Sequence, residues 1–324
     1  MAHVERRGNG RWRARYRTPD GRERSKTFTR KADAERFLAI VESEKLRGDY
    51  VDPLGGRRLF GDVVAAWLTS HVQLRPTTLE QRESRLRNHV LPYFENQPIG
   101  AITRSDVQDW VNHRSDVMAP ASVLVCYSYL AGVFKAAIED QLITRTPCRG
   151  IKFPRVEHPP VQPIPTKSVL ALADAAGERF GRLVLTAAGT GMRQGECFGL
   201  TIDRVDFERG TIIVDRQLIQ LSGELPYIGP PKTPAAYRTI PLPRVVSTAI
   251  AEQVDEFGTG TAVDGNGRAV DGVVFTTVNN TAIRRSAFNG RWRTAVKRAG
   301  CPPARASTSS ATTTPAFSSK RASR

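Results

Sequence analysis

Residues 190–196 read TGMRQGE, and the second half of the chain is organised around them. An apolar segment at 183–188 precedes this stretch, and the apolar residues Phe198, Leu200 and Ile202 follow it. Gly191 permits the backbone angles of a tight turn, so the pattern predicts one helix ending here and another beginning near Arg193. An arginine fixed at such a corner suits a phosphate, because its planar guanidinium can donate two hydrogen bonds to two oxygens. The motif is short, and an ordinary corner with a surface arginine is the alternative.

A second block strengthens the phosphate interpretation. Residues 231–242 read PKTPAAYRTIPL, in a region where strands are predicted. In this order and at this distance, the two blocks resemble those of the tyrosine recombinases, the phage-integrase family. A T-G-x-R-x-x-E block carries the first catalytic arginine of that family, and a β-hairpin of the form P-K-T-x-x-x-x-R-x-I-P-L carries its catalytic lysine. The resemblance extends along the chain to Gly300.

The resemblance implies a site-specific DNA recombinase that needs neither a metal nor a cofactor. In the family reaction a tyrosine hydroxyl attacks the scissile phosphate and leaves a 3′-phosphotyrosine. Fixed arginines neutralise the phosphoryl oxygens, and a general acid protonates the departing 5′-oxygen. By position, Arg193 matches the first arginine, Lys232 matches the lysine, and Glu196 matches an acidic residue that orients the arginine.

The remaining family residues are missing from the sequence. An H-x-L-R-H block and a tyrosine should follow Gly300, but all five histidines lie in the first half of the chain and the last tyrosine is Tyr237. Because Tyr237 belongs to the predicted lysine hairpin, it is a poor substitute for the nucleophile. We therefore expect this chain to be unable to cleave DNA by the family mechanism.

The composition of residues 301–324 leads to a hypothesis for that absence. They are rich in serine, threonine and alanine and contain one large hydrophobic residue, Phe317, so we expect a disordered tail. If the codons are read one base earlier, the same amino acids permit H-E-L-R-H at positions 308–312. Our hypothesis is a one-base deletion near Gly300, in the gene or in its reading.

The charge of the chain points to a polyanionic partner. The sequence has 48 lysines and arginines against 32 acidic residues, a net charge of +16. Residues 281–324 contribute +10 and residues 1–50 contribute +6. Because the first of these segments includes the abnormal tail, the excess of basic residues at 1–50 is the better argument for DNA. The four cysteines are scattered, which predicts neither a zinc site nor disulfides. We expect no membrane span or signal peptide and a cytoplasmic protein.

Residues 1–52 are predicted to form a small β-β-α module. Side chains alternate strictly at 11–17, with Trp12, Ala14 and Tyr16 on one strand face. The opposite face carries four arginines that are candidates for DNA binding: Arg11, Arg13, Arg15 and Arg17. Solubility and protection of a strand edge are the alternative role. A second strand at 23–29 and a helix at 31–48, with Leu46 facing the sheet, complete a module similar to the family's arm-binding domain.

Residues 58–148 are predicted to form four helices, starting near 60, 76, 105 and 119, with Ser105 as an N-cap. This stretch resembles the family's core-binding domain. Arg82 and Arg85, with Arg87, either contact phosphates or form a solvated face. A proline-rich linker follows at 149–165, where Lys152 would suit a passage along DNA.

Residues 166–300 are predicted to form the first part of the catalytic domain. Strands near 211–217, 224–229 and 237–242 should make one antiparallel sheet, 258–272 a glycine-rich loop, and 283–299 a helix. The predicted fold class is therefore multidomain α+β, with a mixed and incomplete catalytic domain.

Two functions from different classes remain open. The first is an integrase of a phage or mobile element that binds double-stranded attachment-site DNA. The resemblance implies that such an integrase acts on DNA as a homotetramer, with accessory directionality or bending proteins as possible partners. The second is a non-catalytic DNA-binding protein that acts at the same sites. A type IB topoisomerase shares the chemistry, but the N-terminal module favours an integrase.

Overall fold

The computed structural model describes residues 2–19, 21–48, 50–52, 54–71, 73–156 and 163–301. Their contacts divide the chain into two compact units, Met1–Val156 and Glu157–Arg324. The mixed α+β class is as predicted. The finer division into modules at 1–52 and 58–148 remains a prediction.

The first unit begins with a three-stranded antiparallel sheet in the order β1-β2-β3. Its strands are β1 His3–Arg6, β2 Trp12–Arg17 and β3 Glu23–Phe28, and helix α1 spans Lys31–Arg47. The predicted β-β-α order is thus extended by a first strand, which was missed because HVER has only one strong strand former. Ala14 and Tyr16 are buried under α1 with Leu38, Val41 and Tyr50, so the predicted alternation is confirmed. The expectation for Leu46 is wrong, since its side chain is 88% exposed.

The helical part of the first unit is built from five helices around one core. They are α2 Phe60–Thr69, α3 Pro76–Arg85, α4 Leu91–Phe94, α5 Arg104–Val117 and α6 Pro120–Glu139. A π-helical turn, Leu86–Val90, joins α3 to α4, so the second predicted helix exists but runs on to Phe94. The N-cap of α5 is Thr103, which forms a capping box with Asp106, and the prediction of Ser105 is wrong by two residues.

Helix α6 is the apolar centre of this part. Its length and composition would suffice for a membrane span, contrary to our expectation from the sequence. Val123, Cys126, Leu130, Val133 and Phe134 on this helix are fully buried in the core shared with the other helices. We therefore interpret α6 as a core helix.

The second unit combines helices with two small sheets. Its helices are α7 Thr166–Ala176, α8 Glu178–Thr190, α9 Gln194–Phe198, α10 Arg244–Phe257 and α11 Arg285–Arg298. Its strands are β4 Val205–Asp206, β5 Thr211–Val214, β6 Gln217–Ile219, β7 Tyr227–Gly229, β8 Arg238–Pro241, β9 Gly260–Asp264 and β10 Ala269–Val273. The helix predicted at 283–299 is confirmed, with Phe288, Trp292 and Val296 packed on the two cores of this unit.

The sheet topology corrects two predictions. The strands expected in one sheet belong to two sheets, β4-β5-β8 and β10-β9-β7-β6. The loop expected at 258–272 is the hairpin β9–β10, and β9 pairs in parallel with β7. The chain leaves one sheet for the other between β5 and β6, and returns between β7 and β8, and nothing in the amino-acid pattern marks those crossings.

Helices α7 and α8 approach so closely that only glycine fits at one position. A Cβ atom on Gly181 would lie 2.4 Å from the carbonyl oxygen of Ala173. Backbone cannot yield as a flexible side chain would, so the helices would have to separate.

We expect Gly181→Ala to lower the free energy of unfolding by about 1–3 kcal/mol, because it overpacks the contact between α7 and α8. Gly290→Ala on α11 is the matched control, since no atom lies within 4 Å of its added Cβ. That substitution should be neutral or stabilise by up to about 1 kcal/mol through helix propensity. Urea unfolding of both variants measures the difference, and equal midpoints for the two would contradict the prediction.

Candidate functional site

The corner at 190–196 has the predicted form. Helix α8 ends at Thr190, and Gly191 caps it in the left-handed conformation at φ 66°. Met192 is buried against the core, and Arg193 is the extended residue that precedes α9. Because Met192 is anchored inside, the Arg193 side chain is directed outward, and it is 65% exposed. The corner therefore presents a guanidinium from a fixed backbone.

Glu196 fixes the base of that guanidinium. Its carboxylate is 2% exposed and lies between two arginines. The Arg193 backbone N–H donates to Oε2 at 2.9 Å, and Arg193 Nη1 donates to Oε1 at 2.9 Å. From the other side, Arg238 donates through Nη2 to Oε2 at 2.8 Å and through Nη1 to Oε1 at 3.3 Å. Both carboxylate oxygens are thus shared between the two arginines.

These hydrogen bonds keep Glu196 ionised. Burial by itself would raise the pKa of the carboxyl group. The hydrogen bonds from Arg238 and from the backbone and side chain of Arg193 outweigh burial, and the pKa of Glu196 falls below its ordinary value. A buried anion paired on two sides gives the exposed arginine a constant electrostatic anchor.

Lys232 lies in the connection from β7 to β8 and is exposed. Those strands belong to different sheets, so the prediction that the lysine lies in a β-hairpin is wrong. Arg238 begins β8 six residues later and is the residue that reaches Glu196. The segment carrying Lys232 is therefore tied to the Arg193 corner through Arg238 and Glu196. Sequence reasoning quoted Arg238 within its motif but assigned it no role.

The second block of the predicted site does not occur in the amino-acid sequence, and the segment where it was expected lies outside the described residues. Residues 302–324 contain the positions where H-E-L-R-H is permitted in the shifted frame. Tyr237, the last tyrosine of the chain, is 53% exposed and immediately precedes β8. It lies in the same connection as Lys232, but that connection joins two sheets and is not the hairpin that was expected.

The four N-terminal arginines share the face of the β1-β2-β3 sheet opposite α1, which we call the arginine face. Arg11 and Arg17, at its two ends, are exposed. The central pair carries two carboxylate neighbours: Glu5 contacts Arg13 and Arg15, and Glu23 also contacts Arg15. Sequence reasoning missed Glu5 because it lies on the strand that was not predicted. Glu23 lies on a predicted strand, but its contact with Arg15 was not foreseen.

The arginines at 82–87 do not form a single cluster. Arg82 packs its guanidinium carbon 5.3 Å from the Trp67 ring centre and 5.5 Å from the Tyr129 ring centre. Burial raises the pKa of the Cys126 thiol, and a hydrogen bond with Arg85 opposes the rise. Arg87 is exposed and pairs with Glu83. The alternative that these arginines form one solvated face is therefore wrong.

The first part of the linker is attached to the helical core. Arg104 Nε on α5 donates to the Arg149 carbonyl oxygen at 3.1 Å. Gln108 bonds both the N–H and the carbonyl oxygen of Lys152, at 2.8 and 3.0 Å. The Lys152 side chain is exposed and its backbone is held, so the cation has a defined place on this unit.

Three family models match the chain. Residues 3–47 match a model described as the phage integrase N-terminal domain, and residues 59–114 match the phage integrase N-terminal SAM-like domain. Residues 164–310 match the phage integrase family.

Individual relatives agree with those models. A putative prophage phiRv2 integrase of Mycobacterium tuberculosis is 29% identical over 255 residues, which cover 76% of this chain and 67% of that protein. A XerC-like tyrosine recombinase of Caldanaerobacter subterraneus is 26% identical over 265 residues, covering 75% of this chain and 68% of the relative.

Solved structures share the fold. The Tn1549 transposon integrase in complex with transposon right end DNA has a TM-score of 0.65 at 22% identity and covers 74% of this chain and 78% of that one. A lambda integrase tetramer bound to a Holliday junction has a TM-score of 0.56 at 16% identity and covers 92% of this chain and 84% of that one.

Proposed function

The chain belongs to the phage integrase family, and we propose that it binds attachment-site DNA as a site-specific tyrosine recombinase of a phage or mobile element. The observation that carries this proposal is the Arg193 corner. An exposed guanidinium, anchored by a buried carboxylate, is suited to two oxygens of one phosphate. The connection carrying Lys232 is linked to the same carboxylate through Arg238.

We assign separate roles to these residues in the family reaction. Arg193 would stabilise charge on the phosphoryl oxygens, and Glu196 would orient Arg193. Lys232 would donate a proton to the departing 5′-oxygen. The arginine face, Arg82, Arg85 and Lys152 would contact DNA outside the reacting phosphate.

The reaction also needs a nucleophile and a second group of phosphate ligands. Neither a histidine nor a further tyrosine occurs after Tyr237. We propose that this chain binds DNA without cleaving it, and that a one-base deletion near Gly300 separates it from H-E-L-R-H and a tyrosine. Assembly as a tetramer on DNA is part of the same proposal, and the lambda integrase tetramer bound to a Holliday junction supports it. Accessory proteins and a cytoplasmic location complete the proposal.

The nucleotide sequence of the locus tests the deletion directly. We expect the shifted frame to read H-E-L-R-H at positions 308–312 and to continue through a helix-like segment to a tyrosine. The measurement is sequencing from the Arg291 codon to about 300 bases beyond the Arg324 codon, a length chosen to include the rest of a domain of ordinary size. A shifted frame closed by an early stop would contradict the deletion and favour a DNA-binding protein that never cleaved.

A further inference from the structure

The central arginines of the arginine face are held by a carboxylate. Glu5 on β1 is directly opposite Arg13 on β2. Its Oε1 atom lies 3.5 Å from Arg13 Nη1 and 3.1 Å from Arg15 Nε. Arg15 Nη1 is in turn 3.2 Å from Oε1 of Glu23, on the opposite side strand. One glutamate thus contacts both central arginines, and Arg15 lies between two carboxylates.

The exposure of these side chains agrees with a fixed arrangement. The Arg13 side chain is 19% exposed and that of Arg15 is 36% exposed. The Nε atom of Arg13 is buried and has no hydrogen-bond partner within the described part of the chain. The Glu5 side chain is 37% exposed, so its carboxylate is part of the surface of the arginine face.

A carboxylate at this place is unfavourable for binding phosphates alone. It would repel the DNA backbone and cancel part of the positive charge on which non-specific affinity depends. An arginine that reads a guanine has a different requirement, because both donors of its fork must lie in the plane of O6 and N7. Glu5 contacts Arg13 at Nη1 and Arg15 at Nε, and these contacts restrain the plane of each guanidinium.

We propose that Glu5 is a specificity-determining positioning residue, which holds Arg13 and Arg15 in the orientation that reads base edges. The inference rests on the proposed binding of DNA by the arginine face. Residues two apart on a strand are separated by about 6.6 Å. This is close to two base-pair steps of about 3.4 Å, so the two arginines match guanines two steps apart.

The test uses the 324-residue chain and a library of randomised DNA duplexes. For each variant, dissociation constants are measured for a duplex selected by the wild type and for a shuffled duplex of the same composition. The readout is the dissociation constant of the shuffled duplex divided by that of the selected duplex. Glu5→Gln should lower that ratio about five- to tenfold, because the arginines lose their orientation. Binding of the shuffled duplex should at the same time become tighter, because one repulsive charge is gone.

Three variants serve as controls. Glu35→Gln on α1 makes the same charge change on an exposed residue paired with Lys31, and it should leave the ratio unchanged. Glu23→Gln removes only one of the two carboxylates at Arg15 and should give a smaller loss than Glu5→Gln. Arg13→Ala should abolish most of the preference, and thermal melts should show that all four variants remain folded.

The outcomes separate the inference from the proposed function. An unchanged ratio in Glu5→Gln overturns the positioning role, as does an Arg13→Ala variant that keeps the full preference. A wild type with no preference among duplexes overturns sequence recognition by this chain and the inference with it. A wild type whose preference is lost with Arg13 but kept without Glu5 leaves the proposed function intact and refutes the inference alone.

Discussion

Restoring the reading frame after Gly300 should convert the chain from one that only binds attachment-site DNA into one that cleaves it. No tyrosine follows Tyr237 in this sequence, and the proposal therefore predicts that the 324-residue chain forms no covalent protein–DNA complex. The corrected chain would regain the second block of phosphate ligands and the tyrosine. The substrate is a duplex with a nick close to the cleavage site, so that the short strand released by cleavage diffuses away and cannot be rejoined. The measurement is a protein–DNA complex that stays together on a denaturing gel.

The corrected chain also allows the roles of Arg193 and Lys232 to be separated. Arg193→Ala should reduce the cleavage rate about 10²–10³-fold, the effect of removing one donor to a developing charge. Lys232→Ala should reduce it about 10²–10⁴-fold through loss of a general acid. A substrate with sulfur at the bridging 5′ position has a leaving group that needs no proton. It should therefore restore cleavage by Lys232→Ala and leave Arg193→Ala slow.

Three results would count against this account. A covalent complex formed by the present chain would show that a residue such as Tyr237 is the nucleophile. A corrected chain that binds DNA with unchanged affinity and forms no complex would show that the frame is not what is missing. Equal recovery of both alanine variants on the sulfur substrate would reject the assigned role of Lys232.

Removal of the buried carboxylate should have the largest effect on stability. We expect Glu196→Ala to lower the free energy of unfolding of the second unit by about 3 kcal/mol, at the lower end for a broken buried pair. The lower end applies because the partner arginines keep some solvent, with the Arg238 side chain 28% exposed. The melting temperature should fall by about 6–12 °C. Glu252→Gln is the control, since its ion pair with Arg182 is half exposed and worth little.

The contribution of Glu196 should also depend on pH. Its pKa is lowered in the folded state, so the carboxylate stabilises fully above its unfolded-state pKa of about 4.3. That stability is lost as the pH falls through the lower, folded-state pKa. Urea unfolding at pH 7, 5, 4 and 3 should show the gap between wild type and Glu196→Gln closing at the acidic end. A gap that stays constant from pH 7 to pH 3 would show that the charge of Glu196 does not matter.

The sequence predicted those parts of the fold whose residues carry a strong local signal. Gly191 indicated the turn, and strict alternation at 11–17 indicated which strand face is buried. The anchor of Glu196 was only half predicted, because Arg193 lies three residues away whereas Arg238 is distant in sequence. Arg82 could not be placed, since a helical pattern does not reveal which aromatic rings from other helices meet a guanidinium.

The small sheets were beyond the reach of local patterns. Strands such as β6 and β7 have only three residues, too few to show a period of two. The hairpin β9–β10 was hidden by its glycines, although Asp264, Asn266 and Gly267 form its turn. Asn-Gly between alternating residues is a hairpin signal, and it was outweighed by the glycine content of the segment.

Strand β7, which leads into the connection carrying Lys232, pairs in parallel with β9. During synthesis of the chain, this pairing cannot form until β9 has been made. Strand β7 can pair with β6 as soon as it is synthesised, but its other edge stays open until α10 and β9 have followed. A ribosome adding about 5–20 residues per second needs roughly 2–7 seconds to reach Asp264 from Tyr227. During that interval the nascent chain exposes an unpaired strand edge shortly before Lys232, and such an edge is a template on which another chain can pair.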